Sequence, residues 1–247
     1  MLKIENIHIS FNSLKVLNGL SCQMAIGDFV AIMGCNGSGK STLFDVIAGT
    51  AKPNHGKVFL GGEDITKWSE VQRASSIGRL FQNTHLASVS TLTVRENLAL
   101  ATLKGRSTRL RHGLTCFPER VLEKVLRPLN LRLEELLDMP MGALSGGQRQ
   151  IVSFIMATLV PPRILLLDEP TAALDPRSAT ELLLFAKAFV AEHKIPTMMI
   201  THDPEIAAHV ADKVWMIEGG RMNMHSEGER ASKLSIQNID YARLSRS

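Results

Sequence analysis

Apolar residues in this chain fall in short runs of two kinds. Leu2 to Phe11 and Val16 to Ala25 largely alternate apolar with polar positions, as half-buried strands do, whereas Phe29 to Gly34 opens on five consecutive apolar residues, FVAIM. A further short run spans Lys57 to Gly61, and Gly and Asn clusters separate several of these segments. The first third is thus expected to be strand-rich, with one helix from about Gly39 to Ile47 that stops near Gly49, Pro53 lying beyond. From Thr91 to Leu159 the pattern turns mostly helical. Thr93 with Glu96 forms a capping-box signature, and Val121, Leu122, Val125, Leu126 and Leu129 fall on one helical face. Strand signals return at Ile164 to Leu167, Thr197 to Ile200 and Val214 to Ile217, with helical patterns between them. Asp175 followed by Pro176 suits the cap and first turn of a helix reaching about Lys194. Unbroken apolar runs are what parallel strands buried on both faces require, so the pattern predicts an α/β architecture with a helical insert. No internal repeat is visible, and the tail after Gly219 is polar and weakly patterned.

Composition narrows this little. With 247 residues, 45% hydrophobic and 21% charged, the chain can bury a sizeable core. Its start, MLKIENIHIS, lacks a basic segment followed by an apolar run, and no apolar stretch reaches the roughly 18 to 20 residues of a membrane span. The expectation is a cytoplasmic chain. Three scattered cysteines, Cys22, Cys35 and Cys116, fit neither a disulfide framework nor a zinc site and are expected to be free thiols. The net charge of +4 comes largely from Lys104, Arg106, Arg109, Arg111, Arg120, Lys124, Arg127 and Arg132, a stretch that reads most simply as a solvated helical surface.

Chemistry enters at Gly34 to Thr42, GCNGSGKST, which meets the pattern GxxxxGK[ST] between a strand and a helix. Gly37 and Gly39 would let the backbone wrap closely around phosphates, with N–H groups and a helix N-terminus facing negative charge. Lys40 would neutralise phosphate oxygens, and Ser41 would hold Mg²⁺. Downstream, Arg163 to Thr171 reads RILLLDEPT, an apolar strand ending in Asp168 and followed at once by Glu169. Asp168 suits a carboxylate associated with Mg²⁺, and Glu169 one that orients or deprotonates an attacking water. Taken alone, adjacent acids after a strand also fit a helix cap.

Leu144 to Gln148, LSGGQ, lies between these two motifs, and with it the chain resembles the ATP-binding subunits of ABC transporters over nearly its whole length. The resemblance implies a P-loop NTPase fold of the ABC nucleotide-binding type, with an N-terminal antiparallel β subdomain and an inserted helical subdomain. It implies one ATPase domain over residues 1–247. About 1–90 and 160–225 form the nucleotide-binding core, about 91–159 the helical subdomain, and about 226–247 a C-terminal tail. ATP and Mg²⁺ are the implied cofactors. The loop residues Gly34, Asn36, Gly37, Ser38, Gly39, Lys40, Ser41 and Thr42 would bind nucleotide, while Ser145, Gly146, Gly147 and Gln148 would bind the γ-phosphate held by an opposing subunit.

Other positions match by order and context. Gln82 in LFQN corresponds to the glutamine that reaches Mg²⁺ and the attacking water, and His202 in ITHD to the histidine that contacts the γ-phosphate and supports Glu169. Asp175 corresponds to the residue that couples two sites across a dimer, and can serve as an N-cap at the same time. Phe11 corresponds to the aromatic that stacks on adenine, or is plain core. Catalysis would then rest on Glu169, His202 and Gln82, and metal binding on Ser41, Gln82 and Asp168.

One chain carries one phosphate loop and one LSGGQ, so the resemblance implies a head-to-tail dimer with an identical or paralogous ATPase subunit. Transmembrane permease subunits would dock near Gln82 and Asn83 to Leu100, placing the chain on the cytoplasmic face of the membrane. An extracytoplasmic solute-binding protein would accompany an importer of amino-acid-like solutes, and no nucleic acid partner is expected. The alternative is a cytosolic, non-transport ATPase of the same superfamily, such as the iron–sulfur assembly type. Cys35 in the phosphate loop raises the further expectation that thiol alkylation blocks ATP binding.

Overall fold

The computed structural model describes residues 1–104 and 133–225. Two sheets organise it. The first is antiparallel, in the order β2-β1-β4-β5, from β1 (Leu2–Phe11), β2 (Leu14–Met24), β4 (His55–Leu60) and β5 (Glu63–Asp64). The second has six strands in the order β10-β9-β3-β8-β7-β6, from β3 (Phe29–Met33), β6 (Ile77–Leu80), β7 (Ile164–Asp168), β8 (Thr197–Ile200), β9 (Lys213–Glu218) and β10 (Arg221–His225). Strands β6, β7, β8, β3 and β9 pair in parallel, and β10 closes the edge antiparallel to β9.

The continuous apolar runs follow from the pleat. In β3, Val30 and Ile32 enter one core with β1, β2 and helix α1 (Lys40–Ala48), whereas Phe29, Ala31 and Met33 enter a second core on the opposite face. Residues of β7 divide in the same way, Ile164 and Leu166 to the first core and Leu165 and Leu167 to the second. Both faces are dry, so neither set can be polar. Helix α5 (Pro176–His193) and helix α6 (Pro204–Val210) cover the second core.

Helix α1 is capped by Gly39 before it and Gly49 after it, both in the left-handed region (φ 104° and 86°). The short helix α2 (Glu70–Arg73) has a capping box from Ser69 and Gln72 and delivers Arg73 into the first core. Its guanidinium donates to the carbonyls of Val46, Ile47, Ile65 and Thr66, tying the last turn of α1 to the exit of β5.

A third core, of Val94, Leu98, Met141, Leu144, Ile151, Val152 and Ile155 among others, joins α3 (Val94–Thr102) to α4 (Gly146–Thr158). The Thr93–Glu96 capping box is present at the start of α3, and Asp175 caps α5 above Pro176. The helical face expected from Val121 to Leu129 lies outside the described residues, as do Cys116 and the basic positions from Arg106 to Arg132. Several elements depart from the pattern reading, helix α2 being a second helix in a first third expected to hold one. Ile77–Leu80 is a strand too short to show periodicity, and the stretch after Gly219, weakly patterned by itself, supplies β10 through backbone pairing with β9.

Candidate functional site

The parallel sheet delivers three loops to one end. The loop after β3 carries Gly34 to Gly39, the loop after β7 carries Glu169, and the loop after β8 carries His202. Together with the tip of the β1–β2 hairpin they enclose a cavity of about 410 Å³ lined by Phe11, Leu14, Val16, Asn36, Gly37, Gly39, Lys40, Ser41, Thr42, Gln82, Glu169, Ile200 and His202. Gly34 and Ser38 form the base of the loop rather than its lining. Gly34 has φ 149°, and a Cβ there would run into the Ile217 carbonyl and come within 2.8 Å of Ser38 Oγ. A Cβ on Gly39 would stand 2.7 Å from Leu17 Cδ2, so the loop can lie against β2 only with glycine at that position.

Lys40 is buried, and its Nζ donates to the carbonyls of Gly34 (2.9 Å) and Cys35 (2.8 Å). An ammonium has three hydrogens, so one remains for an anion in the cavity. Burial pulls the Lys40 pKa down, opposed by the negative charge of Glu169, Cys35 and Asp168. Ser38 Oγ is buried without a partner among the described residues. A cationic amine, an uncommitted hydroxyl and a glycine-lined wall at a helix N-terminus form a donor set that fits a polyphosphate.

Glu169 sits at φ 47°, a left-handed conformation that costs a non-glycine residue free energy. Its N–H donates to the Ile200 carbonyl, which holds the turn in place. The turn aims the carboxylate between two partners. Gln82 Nε2 donates to Oε2 at 3.0 Å, and His202 Nε2 lies 2.9 Å from Oε1. Gln82 therefore keeps its carbonyl oxygen free. Asp168, the last residue of β7, is buried, and burial raises its pKa; Arg79 opposes this, Glu169 and Asp45 add to it, and Lys40 opposes it. The Ser41 hydroxyl, the Gln82 carbonyl and the Asp168 carboxylate are the hard oxygen donors that Mg²⁺ prefers.

The LSGGQ residues and Asp175 do not line this cavity. Ser145 caps α4, its Oγ accepting from Gln148 N at 3.2 Å while Gln148 Oε1 accepts from Ser145 N at 3.0 Å. The pentapeptide thus builds its own helix start and leaves the N–H groups of Gly146 and Gly147 at the tip. A Cβ on Gly147 would come within 3.0 Å of Leu174 Cδ2, so the glycines also admit the Ala173–Leu174 segment. Asp175, just beyond, accepts from Arg177 N, Ser178 N and Ser178 Oγ. The expected phosphate-binding serine and the expected coupling aspartate are both capping residues here, and they form a second surface apart from the phosphate loop.

Sequence reasoning passed over two features. Leu14 and Val16 extend the apolar ledge begun by Phe11, and the exposure of Phe11 (53%) and Leu14 (67%) on either side of a hairpin turn is the signal that points to them. The second is the Asp45–Arg79 ion pair at 2.8 Å, from which Arg79 also acts on Asp168. No local pattern announces a pairing between helix α1 and strand β6.

A family model described as ABC transporter matches residues 17–172. A tyrosine transport ATP-binding protein of Clostridioides difficile (strain R20291) is 36% identical over 244 residues, covering 97% of each chain. A sulfate/thiosulfate import ATP-binding protein of Thermosynechococcus vestitus is 36% identical over 229 residues, covering 89% of this chain but only 62% of its own length. This chain therefore spans about three fifths of that longer relative. Among solved structures, a nucleotide-free ATP-binding cassette from an ABC transporter superposes with TM-score 0.81 at 29% identity, covering 99% of this chain and 98% of that one. A dimeric post-hydrolysis cassette bound to ADP and Pi superposes with TM-score 0.78 at 25% identity, covering 92% and 100%.

Proposed function

Because this chain belongs to the ABC transporter ATP-binding family and carries its ATPase domain, we propose that it is the ATP-hydrolysing subunit of a multi-subunit importer, working as a head-to-tail dimer. The observation that carries this reading is the placement of Glu169 between Gln82 and His202 at the mouth of the phosphate-loop cavity.

The chemistry follows from that placement. Lys40 and the loop N–H groups hold the phosphates, and Phe11, Leu14 and Val16 offer an apolar ledge to the base. Glu169 accepts a proton from water or orients it toward the γ-phosphate, His202 holds the carboxylate in position, and Gln82 reports whether the site is filled. A Mg²⁺ ion held by Ser41, Gln82 and Asp168 would neutralise charge on the phosphates. The α4 N-terminus, with Gly146 and Gly147, is an anion-binding surface that cannot serve its own cavity. In an antiparallel pair of chains it serves the partner's, so ATP closes the dimer and hydrolysis reopens it.

Exposed apolar surface supports a membrane partner, whose subunits would supply the spans. Within the segment following Gln82, Leu86 (70%), Val89 (46%) and Leu100 (39%) are exposed apolar residues. A small hollow of about 140 Å³, with apolar Ala48, Ala74, Ile77 and Phe81 and charged Glu70, Arg73, Arg79 and Lys104 in its lining, would be a seat for a permease segment. The tyrosine transport relative, matched over 97% of its length, supports amino-acid-like solutes as the substrate class; a solute-binding protein as the outer partner is part of the importer reading.

The test is a mild-detergent pull-down of tagged Glu169→Gln protein from its native cells with ATP present, partners being identified by mass spectrometry. A polytopic membrane protein at stoichiometric ratio, together with a solute-binding protein, is the expected result. Exclusively soluble partners would replace this reading with that of a cytosolic ATPase.

A further inference from the structure

Gln82 leaves β6 and enters a tight 3₁₀ turn, Thr84–Leu86, whose geometry is set by Asn83, its side chain accepting from His85 N at 3.1 Å. The His85 imidazole meets the guanidinium of Arg149, with Nη1 standing 2.5 Å from Nε2 and 3.3 Å from Nδ1. Arg149 is the residue immediately after LSGGQ, in the first turns of α4. Its Nη2 donates to the Leu144 carbonyl at 3.0 Å and reaches the Gly142 carbonyl at 3.4 Å, the loop that leads into Ser145. One guanidinium therefore grips both the approach to the pentapeptide and the turn that follows Gln82.

We propose that the His85–Arg149 contact is a strut that couples the two composite ATP sites, by linking the Gln82–Glu169 pair of one site to the α4 N-terminus that serves the other. The inference rests on the head-to-tail dimer proposed above. Gln82 is hydrogen-bonded to Glu169 and lies three residues from His85, so a change in Gln82 moves the turn. The turn bears on α4 through Arg149, and α4, a rigid helix of 13 residues, carries Gly146 and Gly147 at its tip. A guanidinium is donor-only, so the link needs an acceptor at position 85, which a neutral imidazole supplies.

The joint also has the character of a two-state element. Arg149 Nε, both polar atoms of the Gln150 side chain and Ser153 Oγ are buried on α4 without a partner among the described residues. Helix α4 here lies close against β6, the Ala157 carbonyl standing 2.7 Å from where a Cβ on Gly78 would be. Buried polar groups left unpaired disfavour this seating of α4 relative to one that would pair them. Coupling needs such an element, which both sites bias.

The experiment titrates ATP against full-length Glu169→Gln protein and reads dimer formation by light scattering, with ATP affinity of the monomer measured separately at dilution. Adding His85→Ala is expected to raise the ATP concentration for half-dimerisation about tenfold, while monomer affinity changes less than about twofold. His85→Gln, which keeps an acceptor, should restore the midpoint, whereas Arg149→Met, which also releases the Leu144 carbonyl, should shift it at least as far as His85→Ala. If Glu169→Gln dimerises and His85→Ala leaves the midpoint unchanged, or if His85→Gln fails as badly as His85→Ala, the strut is refuted while the dimer stands. If Glu169→Gln never dimerises with ATP, the composite-site reading itself fails and the strut with it.

Discussion

Arg73 offers the most quantitative test of how the nucleotide loop is supported. It is 2% exposed and donates to four carbonyl oxygens. Arg73→Met keeps the apolar stem and removes the guanidinium. The Ile65 carbonyl retains the Trp68 N–H as a second donor, but those of Val46, Ile47 and Thr66 are left without a partner among the described residues. A buried carbonyl stripped of its partner costs about 1–3 kcal/mol, and a cation at a helix C-terminus contributes about 0.3–2 kcal/mol more. Allowing for relaxation, the loss is about 3–6 kcal/mol, a large part of the roughly 5–15 kcal/mol that holds a domain together. For a domain of this size that corresponds to a fall in Tm of roughly 10–20 °C. Thermal unfolding followed by circular dichroism measures it, with Arg177→Met as the control. The Arg177–Glu181 pair is exposed and bridges one helical turn, so its loss should move Tm by no more than about 2 °C. An Arg73→Met protein that melts within that margin of the unaltered chain would refute the claim that Arg73 pins α1.

Three further outcomes follow from the site and its surroundings. Lys40→Ala removes a buried cation from the cavity and should weaken ATP binding by at least about 100-fold in calorimetric titration. Burial pushes the Cys22 thiol up to about 12, so in a Cys116→Ser background at pH 8 a maleimide should label Cys35 alone, and ATP should slow that labelling. Labelling of Cys22 at a comparable rate would contradict its burial. Hydrogen bonds from Ser178 and Arg177 hold the Asp175 carboxyl below its ordinary range, so its stabilising effect is present above the unfolded carboxylate pKa and is lost as pH falls toward the folded one. Asp175→Asn should therefore flatten the acid limb of the stability curve below about pH 4, and an unchanged limb would deny the cap its charge.

What could be read from the residues alone was whatever local geometry dictates. The parallel strands were visible because both faces of β3, β7, β8 and β9 are buried, and the starts of α3 and α5 were visible because Thr93, Glu96 and Asp175 are short-range caps. The phosphate loop, Gln82, Glu169 and His202 were each nameable, and the cavity brings them together. Pairings across the chain were not legible. Strand β10 exists because β9 offers an edge, Arg73 is buried because α1 and the segment after β5 present carbonyls, and His85 finds Arg149 across 64 positions. The double duty of LSGGQ was hidden too, because a capping box and an anion site call for the same residues.

The central claim is that a complete ATP site needs two copies of the fold, with Glu169 as the residue that ends the cycle. Glu169→Gln retains an acceptor for one of its two neighbours but loses the base, which should slow hydrolysis by about 10²–10⁴-fold while leaving nucleotide binding intact. Light scattering of this variant during ATP titration is the most direct measurement. A shift from monomer to dimer with ATP, and not with ADP, is the predicted result. A variant that binds ATP to saturation yet stays monomeric, or that hydrolyses ATP at the unaltered rate, would contradict the account.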